Sequence, residues 1–362
     1  GEEESKKYLF EKMPVKKALF SMAVPTIISQ LINLVYNMVD TIFIGQTGDA
    51  YKTAAVTLAF SIFMLTIAFS NLFGIGGGSL IARLTGAGKE KQARSVCAFS
   101  FYGSIAVALL YSLLIGVFQT PILRFLGASD NTIGFAKQYL LLVVIIGNVP
   151  VILSGTAAHL LRNTGYSRQA SIGLSAGGIL NVILDPLFMF VILPDGMEVF
   201  GAALATLLSN VAACIYLIFK MHSISKHSPV SMNPADLFRI SQENIKVLFD
   251  VGIPSALLNG LFDVANIVLN ALMASHGDLE LAAIGIVMKA ERLPNAVNIG
   301  ICQGMLPIVA YNFASGNHPR MDQVIKTARK YGLGISFASL VLFEACSPLL
   351  CSLFMNTGAG TD

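Results

Sequence analysis

Residues 17–39 read KALFSMAVPTIISQLINLVYNMV and residues 246–268 read KVLFDVGIPSALLNGLFDVANIV. Aligned without gaps, they share Lys, Leu, Phe, Pro, Val, Asn and Val at equal spacing. Each starts on a lysine and then stays apolar for the roughly 20 residues that cross a bilayer core of about 30 Å. The likeness continues downstream. AAV at 54–56 matches AAI at 282–284, LIARLTGAGKEK at 80–91 matches IVAYNFASGNHP at 308–319, and TPIL at 120–123 meets SPLL at 347–350. A repeat of this length, with both copies starting from the same side, predicts two parallel lobes related by an axis along the membrane normal and facing a central cavity.

Composition agrees. Of 362 residues, 54% are hydrophobic and 12% charged, against about 25% charged in soluble domains. Apolar segments fall at 18–44, 54–82, 96–118, 136–158, 169–193, 200–219, 247–273, 282–312 and 331–355, predicting nine membrane helices. The breaks on one side hold nineteen of the 24 Lys and Arg residues; the other side holds only Lys52, Arg124 and Lys137. Lys289 and Arg292 lie within a helix. By the positive-inside rule the N-terminus is cytoplasmic and the chain sits in the cell membrane. Basic loops spread over five separate breaks do not suggest a nucleic-acid surface. The N-terminal segment GEEESKKYLFEKMPVKK is too charged for a signal peptide, so the first helix should remain as a span. Five cysteines without paired spacing read as reduced packing residues.

The expected organisation is an all-α integral membrane protein of two pseudo-symmetric helical bundles. It comprises a cytoplasmic segment 1–17, a six-helix lobe 18–220, a loop 221–246 and a partial lobe of three helices, 247–362. Measured against the first unit, the second would lack about 85 residues and three helices.

Polar residues interrupt the spans in a pattern. Gln30, Asn33, Asn37 and Asp40 keep to one face of the first helix, at i, i+3, i+7 and i+10. In NVILDPLFMF (181–190), Asn181 and Asp185 share a face, and Pro186 withholds a backbone donor beside them. A carboxylate at membrane depth costs about 2.5 to 3.5 kcal/mol, which argues for use rather than accident. Two carboxylates and neighbouring amides converging in one lobe suit a hard cation or a proton, whereas interhelical hydrogen bonding alone would suffice for the asparagines. Asp263 and the KAERLP segment, with Lys289, Glu291 and Arg292, break the pseudo-symmetry. There an ion pair could hold the helix in place, or Asp263 and Glu291 could line the cavity and hold a cation. GIGGG (74–78) lacks the GK[ST] of a phosphate loop and fits close helix approach better. The five histidines have no metal spacing.

The segments VPTIISQLINLVYNMVDTIFIG (24–45), GGSLIARLTGAGKEKQA (77–93), LRNTGYSRQA (161–170), NVILDPLF (181–188), GAALAT (201–206) and QGMLPIVAYNFASGN (303–317) together resemble the multidrug and toxic compound extrusion (MATE) transporters. The resemblance implies an ion-coupling site at Asp40, Asn181, Asp185 and Thr206, holding Na+ or a proton with no other cofactor. It also implies a cavity, with Gln30, Asn33, Tyr36, Asn37, Asp263 and Glu291 as candidates, for a small cationic organic molecule. The implied function is antiport by alternating access in a monomer, not an enzymatic reaction. A flippase of lipid-linked or polysaccharide substrates shares the architecture but should have a basic cavity. An intramembrane aspartyl protease should place an aspartate in a GxGD context, which neither MVDTI nor ILDPL provides. A shortened chain that does not itself transport is the remaining alternative.

Overall fold

The computed structural model describes residues 1–356, apart from the side chains of several residues within 267–285 and 351–356. All regular structure among the described residues is helical. The elements are α1 (Glu2–Glu11), α2 (Val15–Gly45), α3 (Ala50–Gly86), α4 (Glu90–Phe125), α5 (Ile133–Leu140), α6 (Asn148–Asn163), α7 (Ser167–Pro186), α8 (Glu198–Ile224), α9 (Pro234–Leu237), α10 (Gln242–His276), α11 (Asp278–Ser315) and α12 (His318–Asn356). Wide π turns, Leu141–Ile146 and Leu187–Ile192, continue α5 and α7. Among the described residues, eight helices are long and apolar enough to cross a membrane, nine when α5 and α6, bent by 48° at their break, count as one span. The chain is therefore a multi-pass membrane protein.

Local chemistry sets the boundaries. Asp49 and Ser241 cap α3 and α10 through their side chains, accepting from the Tyr51 and Asn244 amides. Gly316, at φ 84°, lets the chain leave α11 in a left-handed turn. Several helices outrun the apolar segments that announce them. α12 begins at His318, so Arg320, Lys326, Arg329 and Lys330 stand on helical turns rather than in a loop. Likewise Arg162 lies within α6 and is only 2% exposed. The first residues, expected only as a charged cytoplasmic segment, form the helix α1, which packs Leu9 and Phe10 inward.

Helices α2 to α8 close around two apolar clusters, one including Phe73, Leu80, Val96, Leu160 and Leu217, the other Tyr111, Ile115, Leu140, Val143 and Val199. Helices α10 to α12 pack on this bundle through α2 and α3. The crossings are close because glycines meet backbone: Gly252 lies against the Leu72 carbonyl, Gly76 against Leu248 and Gly304 against Ala23. All three lie in the half of the molecule nearest α1, here called the near end. In the far half, Val35 and Ile42 of α2, Leu257 and Leu261 of α10 and Val287 of α11 are exposed. GIGGG is thus a packing strip, in which Gly74 faces His159, Gly77 faces Ser100 and Gly78 faces Asn163.

The connection from α8 to α10 is clamped onto the first bundle. Arg94 donates to the carbonyls of Ser225, Ser228 and Val230 at 2.6, 2.7 and 3.2 Å and pairs with Asp236 at 3.8 Å. Cys97 and Cys214 are buried free thiols. Cys302 is exposed on α11 rather than packed, because α11 meets α2 through Gly300 and Gly304, two residues to either side, and the Cys351 side chain lies outside the described residues.

Candidate functional site

Two aspartates in separate spans meet in the far half of the first bundle. Asp40 comes one turn before the end of α2, and Asp185 ends the regular part of α7. Their carboxyl groups lie within hydrogen-bonding reach of one another. Gly178 brings the helices together, because a Cβ there would stand 3.0 Å from Ile32 and 3.4 Å from the Tyr36 ring. Beyond Asp185, Pro186 has no amide to offer the Val182 carbonyl, and the helix widens into the π turn Leu187–Ile192. That places the carboxylate at a break in the helical ladder, where π turns often accompany function.

Asn181, one turn before Asp185, is 3% exposed and Asp185 is 1% exposed. Thr206 on α8 is also buried, its hydroxyl donating to the Ala202 carbonyl at 3.0 Å. Tyr139 on α5 completes the group. Its side chain is buried beside Thr206, both aspartates and Tyr36. Nothing in the sequence singles Tyr139 out, since it is one of ten tyrosines and its neighbours come from other helices. Its position immediately before the π turn Leu141–Ile146 is the one local signal, and it is structural.

The electrostatics of this group are one-sided. The Oδ1 atoms of Asp40, Asn181 and Asp185 are buried without a hydrogen-bond donor among the described residues. Neither aspartate forms an ion pair there. Two unit charges roughly 4 Å apart at an effective dielectric of about 20 repel by about 4 kcal/mol. The pair therefore cannot hold two charges without a proton or a cation between them. Three unpartnered acceptor oxygens fit such a guest and would not suit an anion.

The other sequence candidates do not join this group. Gln30 hydrogen-bonds Gln303 of α11 at 3.4 Å, at the contact between the bundles. Asn33 is exposed, while Asn37 and Tyr36 are half-buried on the same side of α2. The polar stripe therefore divides, its near-end member serving the bundle contact and its far-end member the aspartate pair. Asp263 is half-buried and Glu291 exposed, and neither makes a hydrogen bond or ion pair among the described residues. The ion pair expected of KAERLP is also absent there: Lys289, Glu291 and Arg292 are all exposed, because adjacent helical residues point in different directions.

The fold and the buried carboxylate pair together define a membrane transporter of two helical bundles. The MatE family model matches residues 25–187 and 254–360, and the chain belongs to that family. The multidrug export protein MepA of Staphylococcus aureus is 34% identical over 319 residues, 88% of this chain and 69% of its own length. The protein of that name from Staphylococcus saprophyticus is 33% identical over 353 residues, covering 97% of this chain and 76% of its own. Among solved structures, an outward-facing multidrug resistance MATE transporter of the MOP superfamily superposes with a TM-score of 0.89. That match covers 97% of this chain and 76% of the other at 24% identity, a likeness of fold.

Proposed function

We propose that the chain is a secondary antiporter that exports small organic cations, driven by Na+ or protons taken up at Asp40, Asn181, Asp185 and Thr206. The single observation that carries this reading is the set of unpartnered, buried Oδ1 atoms on Asp40, Asn181 and Asp185. A bound cation or proton supplies the positive charge that lets the two carboxyl groups stay together. Asp40 and Asp185 exchange it, Asn181 offers a neutral acceptor, and Thr206 and Tyr139 border the group. When the guest leaves, repulsion between the carboxylates separates α2 from α7 and alters the cavity wall. That gives the ion a differential effect on two conformations, as coupling requires. The multidrug export proteins to which the chain is similar support the choice of substrate class.

In this reading residues 18–220 and 247–362 rock as lobes about the glycine crossings, within a monomer whose N-terminus is cytoplasmic. The near end is closed and the far end faces outward. Gln30, Asn33, Tyr36 and Asn37 then border the cleft from one side, with Asp263 and Glu291 as acidic contacts for a cationic substrate on the other. An acidic site of this kind gives a flippase of anionic lipid-linked substrates no means of recognition.

Efflux of a fluorescent organic cation from proteoliposomes, under separately imposed Na+ and proton gradients, tests the proposal. Asp185→Asn is expected to abolish gradient-driven efflux while the protein stays folded in the membrane; efflux equal to the unsubstituted protein would overturn the coupling role.

A further inference from the structure

Helix α1 is tied to one bundle by its chain and to the other by side chains. It runs directly into α2 through Met13 and Pro14, and so belongs covalently to the first bundle. There it rests lightly: the Lys6 ammonium lies 4.6 Å from the centre of the Tyr166 ring, and Gly165 leaves room for the Lys6 chain and the Phe10 ring. Its firmer contacts come from α11 and α12. Tyr311 stacks on Phe10 with centroids 5.0 Å apart and planes inclined by 13°. The Tyr311 hydroxyl donates to Glu11 at 2.6 Å, and Asn312 donates to the Phe10 carbonyl at 3.0 Å.

Arg320 of α12 does most. Its guanidinium donates to the carbonyls of Leu9, Phe10 and Met13 at 3.0, 2.8 and 2.7 Å. The last carbonyls of a helix have no internal donors and form the negative end of its dipole. Arg320 therefore caps α1 from the opposite bundle. A helix of ten residues is too short to be stable alone in water, so its folding and its grip on the second bundle are one event. Elsewhere between the bundles, hydrogen bonds among the described residues are single ones, such as Gln30 to Gln303 and Asn244 to Gln92.

We infer that α1 is a latch: docked under Arg320, Tyr311 and Asn312 it holds the near end of the transporter closed, and it must let go of the second bundle for that end to open. The inference rests on the alternating-access reading and adds the element that sets its resting balance. Opening separates α2 from α11 and α12, and α1 cannot follow both. Charge-assisted hydrogen bonds and a stacked ring exist in one state and not in the other, which is the differential contact a conformational bias requires.

Pulsed dipolar distances between spin labels in nanodiscs test this, on a background with the native cysteines replaced. One label pair, Lys91→Cys with Gln323→Cys, spans the near end; the other, Asp130→Cys with His276→Cys, spans the far end. Losing the Arg320 cap in Arg320→Gln should raise the near-end-open fraction on the order of tenfold, and Tyr311→Phe, which loses one hydrogen bond, by about threefold. The far-end pair should shorten as the near-end pair lengthens. Unchanged distributions in both variants overturn the latch, as does near-end widening without far-end change, which is local unfolding. Shifted variants in a protein whose unsubstituted form ignores Na+ and pH would sink the coupling proposal and leave the latch standing. Ion-dependent distances with unshifted variants would sink the latch alone.

Discussion

Asp185 shows how much one residue type in one context conveys. A carboxylate in an apolar run, followed by proline and preceded by an amide one turn earlier, is a site candidate by its sequence context alone, because charge at membrane depth is seldom kept without use. Asp40 stands out for the same reason. Tyr139 does not, because tyrosines are ordinary members of membrane spans and its partner Thr206 is distant in sequence. Its place beside Thr206 and both aspartates gives it a testable part. Tyr139→Phe should leave the fold intact and weaken apparent coupling-ion affinity about fivefold, through loss of the one polar group this residue brings beside the carboxyl pair. Ion-dependent transport kinetics measure this, and an unchanged half-saturation would make Tyr139 a packing residue only.

At the scale of elements, membrane spans are legible because the bilayer allows little else: every backbone group must be satisfied within the segment. Helix ends and helix contacts are less so. α1 reads only as a charged segment, since it has few apolar residues and the donors for its last carbonyls come from Arg320, far away in the chain. The wide turns after α5 and α7 follow no hydropathy signal, although Pro186 explains the second. Glycines are visible in sequence, but their roles depend on neighbours. A Cβ at Gly252 would run into the Leu72 carbonyl, whereas nothing lies within 4 Å of one at Gly260. Gly252→Val should therefore cost about 1 to 3 kcal/mol through forced separation of α3 and α10, lowering the apparent Tm in detergent. Gly260→Ala, on the same helix, should be tolerated.

For the whole molecule, charge asymmetry predicts orientation. In intact cells a membrane-impermeant thiol reagent should label Asp130→Cys from outside and reach Lys91→Cys only after permeabilisation, in a chain with its native cysteines replaced. The reverse pattern would invert the proposed direction of transport. The basic residues behind that prediction occupy helix ends more often than loops. Membrane class, the apolar spans, the repeat and the presence of two aspartates within those spans are legible in the residues alone, because hydropathy and the cost of buried charge act locally along the chain. Packing in three dimensions was needed to bring Asp40 and Asp185 face to face, to join Tyr139 and Thr206 to them, to assign Gln30 to the bundle contact, and to cap α1 from the other bundle. Those outcomes depend on how each helix is rotated and where it crosses its neighbour, and close contacts such as Gly178 beneath Tyr36 set that geometry between segments far apart in the chain.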